Sequence, residues 1–169
     1  MALQLYKIAA VEVGSAGASS MAFSSIPQGY TDLKLVFSAR VSTGGAGTDQ
    51  MLISFNGLTT NFSMRILYGS GTAAGSINNG GNERLIGWID NSGNTAYTFA
   101  NGETYIPNYS GANNKSLSTD VVLENNATAV YTTMAANLWS STAAITSLTL
   151  APAGGSFEQY TTATLYGIL

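Results

Sequence analysis

The stretch Leu33-Lys34-Leu35-Val36-Phe37-Ser38-Ala39-Arg40-Val41 decides how the chain folds. In an extended backbone Leu33, Leu35, Phe37, Ala39 and Val41 fall on one face, with Lys34, Val36, Ser38 and Arg40 on the other. That period of two is the signature of a half-buried β-strand, because a helix would instead bring every third or fourth residue to one side. Thr43-Gly-Gly-Ala-Gly-Thr48 ends the run.

Outward from this strand the same texture repeats. Short β-favouring runs at 3–13, 21–24, 50–55, 62–68, 85–89, 95–100, 103–106, 116–123, 145–150 and 160–168 alternate with Gly, Asn, Ser and Pro clusters. Asn56-Gly57 and Asn101-Gly102 read as hairpin-type turns. The segment 129–139 is ambiguous, since Met134-Ala-Ala-Asn-Leu138 could turn as a helix. The β-branched Thr128, Val130, Thr132 and Thr133 decide it for strand. About ten strands without a convincing helix predict an all-β protein, a single antiparallel β-sandwich with an extended N-terminal segment. Residues 1–20 read as an arm and linker, and 21–169 as the sandwich.

Composition narrows the chemistry. Hydrophobic residues are 45% of the chain and charged ones 9%, far under the usual ~25%, so the surface is built from 19 Ser, 19 Thr, 14 Asn and 19 Gly. There is no His and no Cys, which removes Ser-His-Asp and Cys-His nucleophile pairs, His or thiolate metal sites, and disulfides. No metal, cofactor or catalytic residue is therefore expected. The nine acidic residues sit singly along the chain and suggest no paired-carboxylate site. Lys7, Lys34, Arg40, Arg65, Arg84 and Lys115 are also scattered, and a net charge of −3 argues against a nucleic-acid partner. No apolar run is long enough for a membrane helix, and the opening residues do not read as a signal peptide.

Two loops imitate ligand sites. Gly69-Ser-Gly-Thr-Ala-Ala-Gly75 has the spacing of neither phosphate-binding fingerprint and reads as a flexible loop. Asp90-Asn-Ser-Gly-Asn94 lacks the sixth-position Gly and distal Glu of a calcium loop, and reads as a turn. Trp88 lies within Leu85–Ile89 and Trp139 follows Leu138, so both are expected in the core or an interface, ahead of a sugar-stacking role.

Several stretches together carry a family resemblance. They are Ser25-Ile-Pro-Gln-Gly-Tyr-Thr-Asp-Leu-Lys-Leu35, Ile53-Ser-Phe-Asn-Gly57, Arg65-Ile-Leu-Tyr-Gly69, Tyr105-Ile-Pro-Asn-Tyr109, Leu138-Trp-Ser-Ser-Thr-Ala-Ala-Ile-Thr-Ser-Leu148, Gly154-Gly-Ser-Phe157 and Ala163-Thr-Leu-Tyr-Gly-Ile168. Over roughly 20–169 the chain resembles the small jelly-roll virion proteins of tailed bacteriophages. The resemblance implies a jelly-roll-like sandwich and a structural role, as a capsid decoration (cement) protein or as a domain of a tail or head fibre. It implies no catalytic residue.

Only about 20 residues precede the sandwich, which favours the decoration role over a fibre subunit. The expected partners are a major capsid protein and further copies of the chain, as a homotrimer. The expected location is the capsid surface, after synthesis in the host cytoplasm. A host-surface glycan is a partner only under the fibre reading. Leu3, Leu5, Tyr6, Ile8, Val11 and Val13 are too apolar for a free tail and are the candidate docking or subunit-interface residues.

Overall fold

The deciding stretch forms a strand whose apolar face is closed off from water: Leu33, Leu35, Phe37, Ala39 and Val41 are all at most 3% exposed. The computed structural model describes residues 4–45, 47–79, 83–126 and 130–169. Among the described residues there is no helix and there are twelve strands. They are β1 (Leu5–Glu12), β2 (Met21–Phe23), β3 (Asp32–Val41), β4 (Thr48–Phe55), β5 (Phe62–Ser70), β6 (Ala73–Asn79), β7 (Leu85–Asn91), β8 (Ala100–Ile106), β9 (Lys115–Leu123), β10 (Tyr131–Trp139), β11 (Leu148–Pro152) and β12 (Thr162–Ile168).

The pairing is that of a jelly roll. One sheet runs β1-β12-β3-β8 and the other β2-β11-β4-β7, so strands distant in sequence lie side by side and close two layers around one core. Between β4 and β7 the chain inserts β5 and β6, and between β8 and β11 it inserts β9 and β10. These four strands continue the first sheet beyond β8 in the order β9-β10-β5-β6. Among the described residues every strand pairing is antiparallel except a short parallel register joining the sheets, Arg40 opposite Asp90 and Val41 opposite Asn91.

The core follows from the alternation. β9 places Lys115, Leu117, Thr119, Val121 and Leu123 inward and the residues between them outward. Trp139, Phe55 and Phe62 form an aromatic cluster with ring centres 5.4 to 6.2 Å apart. A second, smaller cluster holds Met64, Ile66, Leu85 and Ala135, flanked by Tyr68 and a half-buried Trp88. The sheet surface is so close in places that only glycine fits: a Cβ on Gly102 would lie 2.3 Å from the Phe37 ring.

Of the segment expected as a strand, Tyr131–Trp139 forms β10 with no helical turn at Met134–Leu138, while Thr128 and Ala129 lie outside the described residues. Four local expectations change. The Gly69–Gly75 stretch is the tip and return strand of a β5–β6 hairpin, turning at Gly71 with φ +56. Asn101-Gly102 lies inside β8 instead of at a turn, and most of 95–100 is loop. Residues 145–147 precede β11 without joining it. By contrast Asn56 and Gly57 both take positive φ (53 and 73) and make the tight reversal expected, with the Leu58 amide donating to the Phe55 carbonyl at 2.8 Å.

Lys115 is a charged residue at an inward position. It is fully buried, and its ammonium donates to the carbonyls of Gly111 (2.8 Å) and Asn113. Burial holds its pKa below the ordinary lysine range. The unfolded chain therefore binds the Lys115 proton more tightly than the folded one, so this residue penalises folding below its folded pKa. The penalty fades as pH rises from that value to the ordinary one. Relative to Lys115→Met, the natural protein should gain stability between pH 7 and pH 10.5. Urea midpoints for both proteins across that range check it, and a pH-independent difference would refute it.

Candidate functional site

The docking residues expected in the N-terminal segment divide by side. β1 pairs along its length with β12, so the segment forms an outer strand of the eight-stranded layer. A register shift between Lys7 and Ala9 turns Ile8 and Ala9 against the core, with Val11 following. Val13 is 3% exposed, its amide donating to the Thr161 carbonyl at 2.8 Å. Leu5 and Tyr6 remain 49% and 38% exposed, Tyr6 stacking on Tyr30 at 5.9 Å. Leu3 lies outside the described residues. The structure thus splits the six: Ile8, Val11 and Val13 serve the fold, while Leu5 and Tyr6 face outward.

Beyond β1 the outward face of the same sheet is mostly uncharged, although Arg65 and Asp120 are exposed on it. Val36, Val122, Met134 and Leu67 are exposed on β3, β9, β10 and β5, with Met134 directly opposite Leu67 across the β10–β5 pair. Lys34 and Glu103 on this face neutralise each other at 2.8 Å.

A second feature was not visible in the sequence. At one end of the sandwich, the loop after β7 and the loop before β12 close a cleft of about 660 Å³ over the end of β3. Its floor is Arg40, 4% exposed. The guanidinium donates to Asp90 Oδ2 at 3.1 Å, Glu158 Oε2 at 2.9 Å and the carbonyls of Asn94, Thr95 and Thr98 at 3.0 to 3.2 Å. Asp90 is fully buried and also accepts from the Asn125 amide at 3.2 Å and from the side chains of Asn94 and Thr98. The segment 156–158 is strapped into place by Ser42 N to Ser156 O (2.8 Å), Phe157 N to Ala18 O (2.7 Å) and Glu158 N to Arg40 O (2.9 Å).

This rigid floor carries two aromatic side chains at its mouth. Tyr97 is 86% exposed and Tyr160 57%, and both hold left-handed backbone, φ 63 and φ 70. Bulky residues seldom occupy that region. Each sits in a tight turn closed by its neighbours, Thr95 to Thr98 and Glu158 to Thr161.

Asp90 and Glu158 share one guanidinium instead of facing each other across a reactive space, so they do not form an acid–base pair. Among the described residues no group of three acidic side chains could hold a metal ion. Trp139 is fully buried and Trp88 packs against Tyr68 and Tyr131, which places both tryptophans in the clusters described above.

Comparison with known proteins finds no matching family model, no matching curated protein and no matching solved structure.

Proposed function

We propose that this protein is a structural component of a tailed-bacteriophage virion that decorates and stabilises the capsid shell, binding a major capsid protein and further copies of itself as a homotrimer. The observation that carries this reading is the jelly-roll pairing enlarged by two hairpins into a broad, charge-poor outward face edged by β1. It joins the sequence resemblance over roughly 20–169. A neutral face of this kind makes contacts that salt screens little. The open edge of β1, with Leu5 and Tyr6 exposed, suits strand addition to a neighbour. Many copies in fixed register on a shell turn weak contacts into firm attachment. The role is non-catalytic.

A second reading has its own support. Two exposed tyrosines over a preformed polar floor suit a fibre component that recognises the host surface.

The test is binding to emptied phage heads, with mass in solution measured by light scattering. A mass of three chains and saturable head binding are expected. Leu5→Lys and Met134→Lys alter exposed positions, so each should keep the melting temperature within about 2 °C. Both should weaken head binding by about tenfold or more, as a charge buried without a partner does. Full-strength binding by both variants would overturn the docking assignment. An intact protein that ignores heads but binds host envelopes would replace the decoration role with the fibre one.

A further inference from the structure

We infer that the cleft floored by Arg40 and flanked by Tyr97 and Tyr160 is a binding site for a neutral saccharide. Its volume, about 660 Å³, lies within the ~300–1,000 Å³ of small-ligand pockets, enough for the end of an oligosaccharide chain.

The chemistry of the walls selects the ligand class. A pyranose offers an apolar face of C–H bonds and a rim of hydroxyls that both donate and accept. Tyr97 and Tyr160 supply rings for the apolar face. Both occupy backbone conformations that a side chain normally avoids, and such outliers concentrate where a side chain must be presented in one orientation. The rim meets fixed polar groups. Glu158 spends Oε2 on Arg40, and among the described residues no hydrogen bond engages its Oε1, so one carboxylate oxygen is left to accept from a sugar hydroxyl. The exposed Gln159 amide and the Ser15 hydroxyl also line the cleft and can serve further hydroxyls.

The charge balance disfavours anionic ligands. Arg40 carries one positive charge against the two negative charges of Asp90 and Glu158, and among the described residues no other Lys or Arg lines the cleft. The floor is net negative, which disfavours phosphate, nucleotides and acidic sugars alike. Arg40 itself is committed to the loop carbonyls, so its role is to hold the 92–98 loop, and with it Tyr97, in position.

The inference does not depend on whether the protein sits on the head or the tail. It is tested with the intact chain on an array of neutral and acidic oligosaccharides, followed by calorimetric titration of a neutral disaccharide that scores. Tyr97→Gly and Tyr160→Gly are the informative variants, because glycine adopts positive φ freely and only the ring is lost. The expected result is binding to neutral saccharides, none to sialylated ones, and an affinity reduced by about tenfold in each variant, the size of one lost stacking contact. Leu58→Ala, exposed beside the Asn56-Gly57 turn and outside the cleft, should bind like the natural chain. Absence of any neutral binder, or unchanged affinity in both glycine variants, would overturn the inference. Head binding by the glycine variants reports separately on the decoration reading, so either can fail while the other stands.

Discussion

Replacing Arg40 by Met is expected to lower stability by about 3–5 kcal/mol, the usual effect of removing one member of a buried ion pair. Met fills the volume of the arginine stem and supplies no donor. Asp90 would remain fully buried as an uncompensated anion, and the carbonyls of Asn94, Thr95 and Thr98 would lose their charged partner. The hydrogen bond from Asn125 and that from the Asn91 amide, at 3.2 and 3.1 Å, soften the loss without replacing a cation. For a chain of this size each kcal/mol moves the melting temperature by about 2–4 °C, so a drop of about 6–20 °C should appear.

Related variants should rank by how much of the buried charge they leave unpaired. Asp90→Asn leaves Arg40 paired with Glu158 at 2.9 Å and should lose less. Arg40→Lys offers a compact charge with three donors and cannot span both carboxylates and the loop carbonyls, so it should fall between. Combining Arg40→Met with Asp90→Leu removes the stranded charge and should recover part of the loss. Urea midpoints at constant slope give the measurement. A loss under about 1 kcal/mol for Arg40→Met would mean that water reaches Asp90 and that the floor of the cleft is not rigid.

How much of this was readable in advance depends on how far apart the interacting residues lie. The alternation of Leu33 to Val41 and of Lys115 to Leu123 is local, and burial follows it position by position. β6 carried no such signal. Its Ala73-Ala-Gly-Ser-Ile-Asn-Asn79 composition suits a loop, and it becomes a strand because β5 presents an edge for it to pair with.

Arg40 was misleading for a related reason. Alternation puts it on the polar face of β3, but that face is covered at its last turn by the loop after β7. Its partners lie 50 and 118 residues away, so only the jelly-roll crossovers bring them together. The cleft inherits that distance. Tyr97 and Tyr160 stand in unremarkable sequence, and neither their shared mouth nor their left-handed backbone leaves a trace in residue pattern. Lys115 is the opposite case: its place in an inward series with Leu117 and Val121 could have been read from the alternation alone.

Trp139→Ala should be as damaging as the loss of Arg40, at about 3–5 kcal/mol, while Trp139→Phe should cost under about 1 kcal/mol. Trp139 is fully buried, with its ring against Phe55 at 5.4 Å and Phe62 at 6.2 Å. Those neighbours sit on β4 and β5, and β10 pairs Trp139 with both Phe62 and Lys115. Three strands held by ladder hydrogen bonds cannot close over the space an indole leaves, so the alanine variant keeps most of its cavity. Phenylalanine retains the stacking surface and loses part of the volume. It also removes the indole Nε1, a buried donor that has no acceptor among the described residues. Losing an unsatisfied donor is favourable by about 1–3 kcal/mol and offsets the lost packing. Trp88, half-buried beside Tyr68 and Tyr131, provides the comparison: Trp88→Ala opens toward solvent and should cost less than Trp139→Ala. Denaturant titrations of the three variants decide the point. If Trp139→Phe loses as much as Trp139→Ala, the indole nitrogen is engaged after all, and the core around it is wetter than its burial implies.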